Sequence, residues 1–356
     1  LRKDVGLSGY SASWKGHSDT ETLLAAFSTW GIKKALQATV GMFGLALLDL
    51  KERKLILARD RMGEKPVYYG WQNDTFLFGS ELKALKAHPV FQNTINRDSL
   101  CLLLRHNTIS SPHSIYEGIF KLAPGSILSL NLDNKEVDIE TYWSMKEVVQ
   151  SALNNPFEGS EQQALLELES ILSKSVSDQM VSDVPLGAFL SGGIDSSTIV
   201  ALMQAQSTNK IKTFSIGFNE KEFDEAKQAK NVAKYLGTEH TELYVTSSEA
   251  LDVIPQLPTM FDEPFADSSQ IPTYLVSKLA KQSVDVSLSG DGGDEIFGGY
   301  NRHVWVKSIW EKTRHLPLIS RRLVFYAITS LSPTAWNKFF RMCSEFFPSR
   351  YRTSQP

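Results

Sequence analysis

The sequence predicts a mixed protein with an α+β first part built on antiparallel sheets and an α/β second part built on a doubly wound parallel sheet. From Val40 to Asn131 the chain runs in short apolar segments that are rich in β-formers and bounded by Gly, Pro, Asn or Asp, a pattern typical of antiparallel strands. Beyond residue 160, strand-like segments alternate with helical ones, which indicates βαβ units. A length of 356 residues fits two domains.

In the first part, apolar runs predict strands and two helical patches interrupt them. We expect a domain over residues 1–145 and a linker over 146–160, because periodicity is lost from Ser151 to Gly159. The predicted strands are Val40 to Asp49, Lys54 to Arg59, Val67 to Gly70, Thr75 to Gly79 and Ile127 to Leu130, and the predicted helices are Thr20 to Trp30 and Arg97 to His106.

The second part, residues 161–356, opens with an amphipathic helix. Its apolar residues recur every three or four positions from Leu165 to Met180, and Ser160 with Gln163 forms a capping box at its start. The segments that then alternate are strands at Val184 to Leu190, Ile211 to Phe218, Glu239 to Val245 and Val284 to Ser289, and helices at Ser196 to Gln206, Glu225 to Leu236, Ser247 to Phe261 and from Pro272.

Composition excludes several classes of protein. There are 37 basic and 40 acidic residues, so the net charge is −3, and we expect no nucleic-acid partner. The longest nearly apolar run, Val40 to Leu48, is far shorter than the roughly 18 residues that span a bilayer, so we expect no membrane partner. The only cysteines, Cys101 and Cys343, indicate a reducing compartment, here the cytoplasm. Cys101 lies in an apolar helical run, where we expect a buried, inert thiol.

The last segment, His303 to Pro356, is basic and contains the pairs Phe339-Phe340 and Phe346-Phe347. Such a mixture is also found in nucleic-acid binders. We favour a helical extension whose aromatic residues are core and whose charges are solvated.

The segment Ser191 to Ser197, with the sequence SGGIDSS, carries the clearest chemical signal. It follows a strand and precedes a helix, so backbone N–H groups and the helix dipole converge on one spot that suits phosphate. The glycines allow close approach, and Ser191, Ser196 and Ser197 add hydroxyl donors. Asp195 would repel a bare polyphosphate, which implies an intervening Mg²⁺ ion. The alternative is a glycine turn with a serine cap.

Several motifs, in order, resemble the glutamine-hydrolysing asparagine synthetase family. The SGGIDSS loop looks like the pyrophosphate loop of ATP pyrophosphatases, and the later segment 289–300 (SGDGGDEIFGGY) strengthens the resemblance. The landmarks that resemble the family's glutaminase half are Ser18 to Glu21, Gly41 to Phe43, Ala58 to Pro66 and Lys121 to Gly125. The resemblance implies an Ntn-hydrolase-like amidotransferase domain followed by an ATP-pyrophosphatase-like synthetase domain.

The resemblance also assigns the ATP site. It places ATP and pyrophosphate against Leu190, Ser191, Gly192, Gly193, Asp195, Ser196, Ile216, Ser289 and Gly290. Leu190 and Ile216 would line an adenine slot, and the alternative is that both are core residues on buried strands.

The second loop, Gly290 to Glu295, is expected at a strand's carboxyl end on the same rim as the first. Asp195 and Asp294 would then bind Mg²⁺ together, and by the resemblance Asp291 would accept a proton from ammonia as it attacks an acyl-adenylate. A glycine-rich acidic turn or a Ca²⁺ site is the alternative. The segment 262–269 (DEPFADSS) reads as an acceptor-binding wall or as a polar loop between helices.

In the first half, Asp19 matches the family position that holds the α-amino group of glutamine, although the segment 18–21 also reads as a helix cap. The family's glutaminase uses an N-terminal cysteine. Leu1 stands first here and neither cysteine is suitable, so we expect a chain truncated at both ends.

The resemblance implies an AMP-forming ligase that uses ATP, glutamine and most simply L-aspartate. The family's aspartate-specific members more often carry Glu at the position of Asp291 and Arg within the segment 267–270, so amidation of another carboxylate, such as a sugar acid, stays open. A non-catalytic homologue is a further alternative. A homodimer is the expected assembly.

Overall fold

The computed structural model describes residues 1–9, 14–218 and 225–342. The chain divides into two compact units, Leu1–Ser289 and Gly290–Pro356, and each is described by itself. The mixed α and β composition is confirmed, since the first unit contains two antiparallel sheets and one parallel sheet.

The two antiparallel sheets belong to residues 1–143, here called the amino-terminal part. One has the strand order β1-β2-β6-β7 and the other β4-β3-β5. The hairpin between β3 and β4 turns through Asn73, whose positive φ of 53° is tolerated best by Asn or Gly. The strands are β1 (Gly44–Asp49), β2 (Lys54–Arg59), β3 (Tyr68–Gln72), β4 (Thr75–Gly79), β5 (Ile119–Lys121), β6 (Ser126–Asn131) and β7 (Val137–Thr141).

Helices surround these sheets. Those expected near residues 20–30 and 97–106 are confirmed, while three short ones have too few residues to show a helical period in the sequence. The helices are α1 (Arg2–Leu7), α2 (Asp19–Trp30), α3 (Ile32–Ala38), α4 (Leu82–Lys86) and α5 (Arg97–His106).

Most of the expected linker over 146–160 is helical. Residues Met145–Asn154 form helix α6, and only residues 155–160 are irregular. No residue of α6 is buried. Met145, Val148, Val149 and Leu153 recur at helical spacing but are all exposed, and the Asn154-Asn155-Pro156 run that follows them is a loop signal that obscures the helix in the sequence.

The parallel sheet has the order β10-β9-β8-β11, with every pairing parallel. The first helix begins with the predicted capping box: the Ser160 hydroxyl accepts from the Gln163 N–H, and the Gln163 side chain accepts from the Ser160 N–H. The elements are α7 (Glu161–Gln179), β8 (Leu186–Phe189), α8 (Ile194–Gln206), β9 (Lys212–Phe218), α9 (Ala226–Leu236), β10 (Glu239–Val245), α10 (Ser247–Leu251), α11 (Leu257–Met260), α12 (Gln270–Ala280) and β11 (Val286–Leu288).

The single helix expected over Ser247 to Phe261 is broken. Between α10 and α11 the chain forms a 3₁₀ turn at Ile254–Gln256 with Pro255 near its start. Proline removes a backbone donor and clashes with the preceding turn, so a continuous α-helix cannot pass through this position.

The prediction that Cys101 is buried is wrong. Its side chain is exposed on α5, whose inward face carries Ser99, Leu100 and Leu103 instead. The apolar run in α5 is longer than one helix face, so Cys101 and Leu104 are left on the outer side.

The second unit is helical as far as the structure describes it. Its helices are α13 (Gly293–Phe297), α14 (Asn301–Thr313), α15 (Leu318–Thr329) and α16 (Pro333–Met342). The expectation of core aromatics is wrong for Trp305, Trp310, Phe325 and Tyr326, which are more than half exposed. The side chains of Phe339 and Phe340, and the residues Cys343, Phe346 and Phe347, lie outside the described part of the structure. Among the residues described, no helix has both the length and the apolar character needed to cross a membrane.

Candidate functional site

The loop that joins β8 to α8 is shaped by Gly192. Gly192 has φ of +81°, and a Cβ atom there would stand 2.7 Å from the backbone nitrogen of Ala229 and 2.9 Å from the carbonyl carbon of Gln228. Displacing backbone atoms costs a large free energy, so this position requires glycine. The loop is therefore pressed against the start of α9.

Two serines hold the loop from inside. The Ser196 hydroxyl is buried, accepts a hydrogen bond from the Ser191 N–H at 3.2 Å and lies 2.9 Å from the Ser191 hydroxyl. The Ser191 Oγ in turn accepts from the Gly193 N–H at 3.3 Å. These hydroxyl groups therefore shape the loop in the structure.

The first turn of α8 is open to an anion. Gly193 is its N-cap residue and provides no side-chain acceptor for the N–H groups of that turn. Within the described residues, the buried Oγ of Ser197 has no hydrogen-bond partner. A cavity of about 400 Å³ lies beside Gly192, Gly193 and Ser197, and the rest of its wall is formed mostly by apolar residues of α8 and α9. A glycine cradle, an uncapped helix start and an unpaired hydroxyl together fit a phosphate group.

Asp195 lies in the first turn of α8 and is partly exposed. Leu190, which precedes the loop, is only 1% exposed and packs in a core cluster with Val200 and Met203. Ile216 packs against a second cluster that contains Val245. The side chains of Leu190 and Ile216 thus pack in the core, as the alternative interpretation of the sequence expected.

Ser289 lies on the same edge of the sheet as this loop. Strand β11 pairs with β8 in parallel, with Leu288 beside Ala188, so Ser289 follows at the carboxyl end where Leu190 leaves β8. The sequence predicted that the two loops follow strands which end at the same edge of the sheet, and this is confirmed for β8 and β11.

Gly290, Asp291 and Asp294 belong to the second unit. Gly292 has a positive φ of 90° and precedes α13, and Asp291 is exposed. The Asp294 carboxylate lies so close to Gly299 that a Cβ atom at residue 299 would require the carboxylate to move. Gly299 also donates its N–H to the Asp294 carbonyl at 3.0 Å, so the second glycine of the FGGY segment packs directly on Asp294.

Metal binding was expected from Asp195 and Asp294. Within the described ranges, no group of three or more His, Cys, Asp and Glu side chains is arranged to hold an ion. Asp195 belongs to the first unit and Asp294 to the second.

Asp19 lies at the start of α2. The Ser18 hydroxyl accepts from the Glu21 N–H at 3.2 Å, so the helix-cap alternative holds for Ser18. The exposed Asp19 carboxylate accepts from the N–H of Thr20 at 2.7 Å. The rest of the Asp19 carboxylate faces solvent, where an ammonium group can reach it.

The landmark segment Ala58 to Pro66 is organised by two charged residues. Asp60 is 1% exposed and accepts from the N–H groups of Glu64 and Lys65, both at 2.9 Å. The Arg59 guanidinium donates to the carbonyls of Leu122 and Lys65 at 2.8 Å each. Burial lowers the pKa of Arg59, and the neighbouring Asp60 opposes that shift. Arg59 thereby joins two of the landmarks that the sequence singled out.

Two family models match the chain in this order: a glutamine amidotransferase domain over residues 1–143 and an asparagine synthase domain over residues 167–354, more than half of the chain. The chain belongs to the asparagine synthase family. The resemblance seen in the loop motifs is thereby confirmed.

Relatives are found in archaea and bacteria. A candidate glutamine-hydrolysing asparagine synthetase 2 of Methanocaldococcus jannaschii is 38% identical over 290 residues, which are 81% of this chain and 55% of that protein. Asparagine synthetase 1 of Bacillus subtilis, also glutamine-hydrolysing, is 36% identical over 303 residues, 85% of this chain and 46% of that protein. The chain thus spans about half the length of the curated relatives it matches.

The synthase domain contacts the amidotransferase domain through a segment whose role the sequence left open. The Asp262 carboxylate accepts from the N–H of Leu82 at 2.7 Å, and Glu263 accepts from the N–H of Ile115 at 2.7 Å. Glu263 also pairs with Lys121. The sequence predicted an acceptor wall or a polar loop for Asp262 and Glu263, because no local pattern reveals partners that lie 180 and 148 positions away along the chain.

Proposed function

We propose that the complete protein carrying this chain is a glutamine-hydrolysing, AMP-forming asparagine synthetase that converts L-aspartate to L-asparagine. The observation that carries this proposal is the loop at Gly192, whose backbone cradle and open helix start suit the phosphates of ATP. The family membership and the order of the two domains support it. In finer detail, we propose an Ntn-hydrolase-like fold for the first domain and a doubly wound, ATP-pyrophosphatase-like fold for the second.

The proposed reaction has two steps in the synthase domain. The β-carboxylate of aspartate attacks the α-phosphorus of ATP, which forms an aspartyl-adenylate and releases pyrophosphate. Ammonia then attacks the acyl carbon, AMP leaves, and a proton is lost from nitrogen. The loop from Ser191 to Ser196 holds the departing pyrophosphate, because the uncapped N–H groups at the start of α8 face the charge that develops there.

Each remaining site residue has a proposed role. Asp195 and Asp294 would hold Mg²⁺, which neutralises phosphate charge when bound. Backbone groups of Leu190, Ile216, Ser289 and Gly290 would surround the adenosine part of ATP.

Asp291 would accept the proton from the attacking ammonia. In the amidotransferase domain Asp19 would pair with the α-ammonium group of glutamine. A cytoplasmic location and a homodimeric assembly remain predictions from the sequence.

Pyrophosphate release from Mg²⁺-ATP tests the proposal in the complete protein. With aspartate and ammonium present, release is expected for the unmodified protein and is expected to vanish in Asp195→Ala. The matched control is Asp178→Ala, which removes an exposed carboxylate paired with Lys174 on α7 and keeps full activity. Equal activity in Asp195→Ala would refute the site.

A panel of acceptors tests the substrate. Aspartate is expected to support release, and sugar acids and other small carboxylates are not. Release with a sugar acid but none with aspartate would replace the proposed substrate.

A further inference from the structure

The segment from Met260 to Ala266 of the synthase domain is tied to the amidotransferase domain at both of its ends. At its start, the Met260 carbonyl accepts from the Lys83 ammonium group at 3.2 Å. At its end, the Ala266 N–H donates to the carbonyl of Asn107 at 2.8 Å. Asn107 closes α5 in a left-handed conformation with φ of 62°, and this directs its carbonyl group away from the helix.

Asp262 caps a helix that belongs to the other domain. Helix α4 begins after Glu81, whose side chain makes no capping hydrogen bond. The Asp262 carboxylate takes that place and accepts from the N–H of Leu82 at 2.7 Å and of Lys83 at 3.2 Å. The side chain of Asp262 is only 12% exposed, so the carboxylate that caps α4 is itself largely buried.

Glu263 lies at the centre of a second, more buried cluster. Its side chain is 9% exposed and pairs with the Lys121 ammonium group, which is 16% exposed and also donates to the Ile109 carbonyl. Its Oε1 accepts from the Ile115 N–H at 2.7 Å. Burial raises the pKa of the Tyr68 phenol, and the negative charges of Glu263 and Asp262 raise it further.

The segment Met260 to Ala266 is connected by side-chain packing to the edge of the parallel sheet where ATP is proposed to bind. Its first residue, Met260, packs in one cluster with Ile216 and Phe218 at the carboxyl end of β9, and so do Leu257 before the segment and Ile271 and Tyr274 after it. A movement of the segment relative to the amidotransferase domain would therefore be transmitted by packed side chains to the carboxyl end of β9.

We infer that Asp262 and Glu263 are positioning residues. They fix the segment Met260 to Ala266, and with it the carboxyl end of β9, on the amidotransferase domain, so that nitrogen released in the first domain is used in the second. The inference rests on the proposed function. Neither side chain acts on substrate. Both direct charged, buried hydrogen bonds at backbone N–H groups of the other domain, and such bonds define a position more narrowly than apolar contact does.

The test compares the two nitrogen sources in the complete protein. Glu263→Gln keeps an oxygen that can accept from Ile115 but removes the charge that pairs with Lys121, and Asp262→Asn does the same at α4. The control is Asp178→Asn, which breaks the exposed Lys174 pair on α7. For each variant, glutamine hydrolysed per asparagine formed is measured, together with the rate of synthesis from ammonium.

We expect about fivefold more glutamine hydrolysed per asparagine in Glu263→Gln, with the ammonium-dependent rate retained. Asp178→Asn should match the unmodified protein in both measurements. An unchanged ratio in both Glu263→Gln and Asp262→Asn would overturn the inference. Absence of ammonium-dependent synthesis in the unmodified protein would instead refute the proposed function.

A milder change keeps the inference testable if the buried variants do not fold. Lys83 is 45% exposed, and Lys83→Ala removes its contacts with Met260 and Asp262 while the backbone cap of α4 stays in place. A smaller rise in the same ratio is expected. If Lys83→Ala folds, retains ammonium-dependent synthesis and leaves the ratio unchanged while the buried variants do not fold, the two acidic residues serve stability alone.

Discussion

Gly192 stands against the backbone nitrogen of Ala229, and the space between them is too small for a methyl group. Through this contact the loop from Ser191 to Ser197 packs against α9, a helix that lies outside the SGGIDSS motif. Residue 192 must be glycine for two reasons: a Cβ atom has no room there, and φ is positive. Alanine substitutions at Gly192, Gly237 and Gly193 distinguish these two reasons.

Gly192→Ala should lower the free energy of unfolding by about 2 to 3 kcal/mol and abolish ATP-dependent pyrophosphate release, because it adds a clash to a positive φ. Gly237→Ala, which has φ of +73° and open space around it, should cost about 1 kcal/mol. Gly193→Ala, with φ of −69°, should cost less than about 1 kcal/mol. Chemical denaturation measures all three, and equal costs for Gly192 and Gly237 would contradict the clash.

Ser197→Ala should weaken ATP binding about tenfold without loss of stability. The hydroxyl is buried and unpaired within the described structure, so removing it takes away a donor for phosphate but no existing hydrogen bond. Titration with Mg²⁺-ATP and urea unfolding measure the two effects. Ser196→Ala is the comparison: it should cost about 1 kcal/mol of stability, because its Oγ accepts from Ser191. Lost stability with unchanged ATP binding in Ser197→Ala would argue against a ligand role.

Asp60→Ala should destabilise the amidotransferase domain by about 3 kcal/mol, since it leaves the N–H groups of Glu64 and Lys65 without their acceptor in a buried place. Asp49 accepts from two N–H groups as well, those of Lys51 and Glu52, but in a turn that water can reach. Asp49→Ala should therefore cost only about 1 kcal/mol. Thermal melting distinguishes the two, and similar losses would show that burial of Asp60 contributes little.

The free energy of unfolding should decrease as the pH is lowered through the range in which histidine ordinarily titrates. His240 is held between the hydroxyls of Thr213 at 2.9 Å and Ser215 at 3.2 Å, and burial lowers its pKa below 6.5, opposed by Glu242 and assisted by Lys230. The unfolded chain then binds the proton first, so the folded state loses stability as pH falls through about 6.5. Urea unfolding between pH 7.5 and 5.5 should show this fall, and His240→Asn should reduce it. An identical pH dependence in the variant would assign the effect to other groups.

The sequence predicted those elements whose own residues carry the signal. Strand β10 was predicted over Glu239 to Val245, where the structure has it, and the capping box at Ser160 has the expected hydrogen bonds. The Gly192 loop was recognised because a strand, glycines and a helix start lie together in the sequence.

Features that depend on distant partners could not be predicted. Asp262 and Glu263 find their partners in α4 and near β5, and no spacing in the sequence signals such pairs. The exposure of Cys101 is settled by which face of α5 packs inward, and an apolar run does not specify that.

The internal hydrogen bonds of the loop have a consequence for how fast a nucleotide can bind. Since Ser191 and Ser196 already fix the turn, the conformational entropy of this segment is lost when the chain folds and not when ATP arrives. Association then needs no prior ordering of this backbone, and its rate should be set by diffusion and desolvation at this loop.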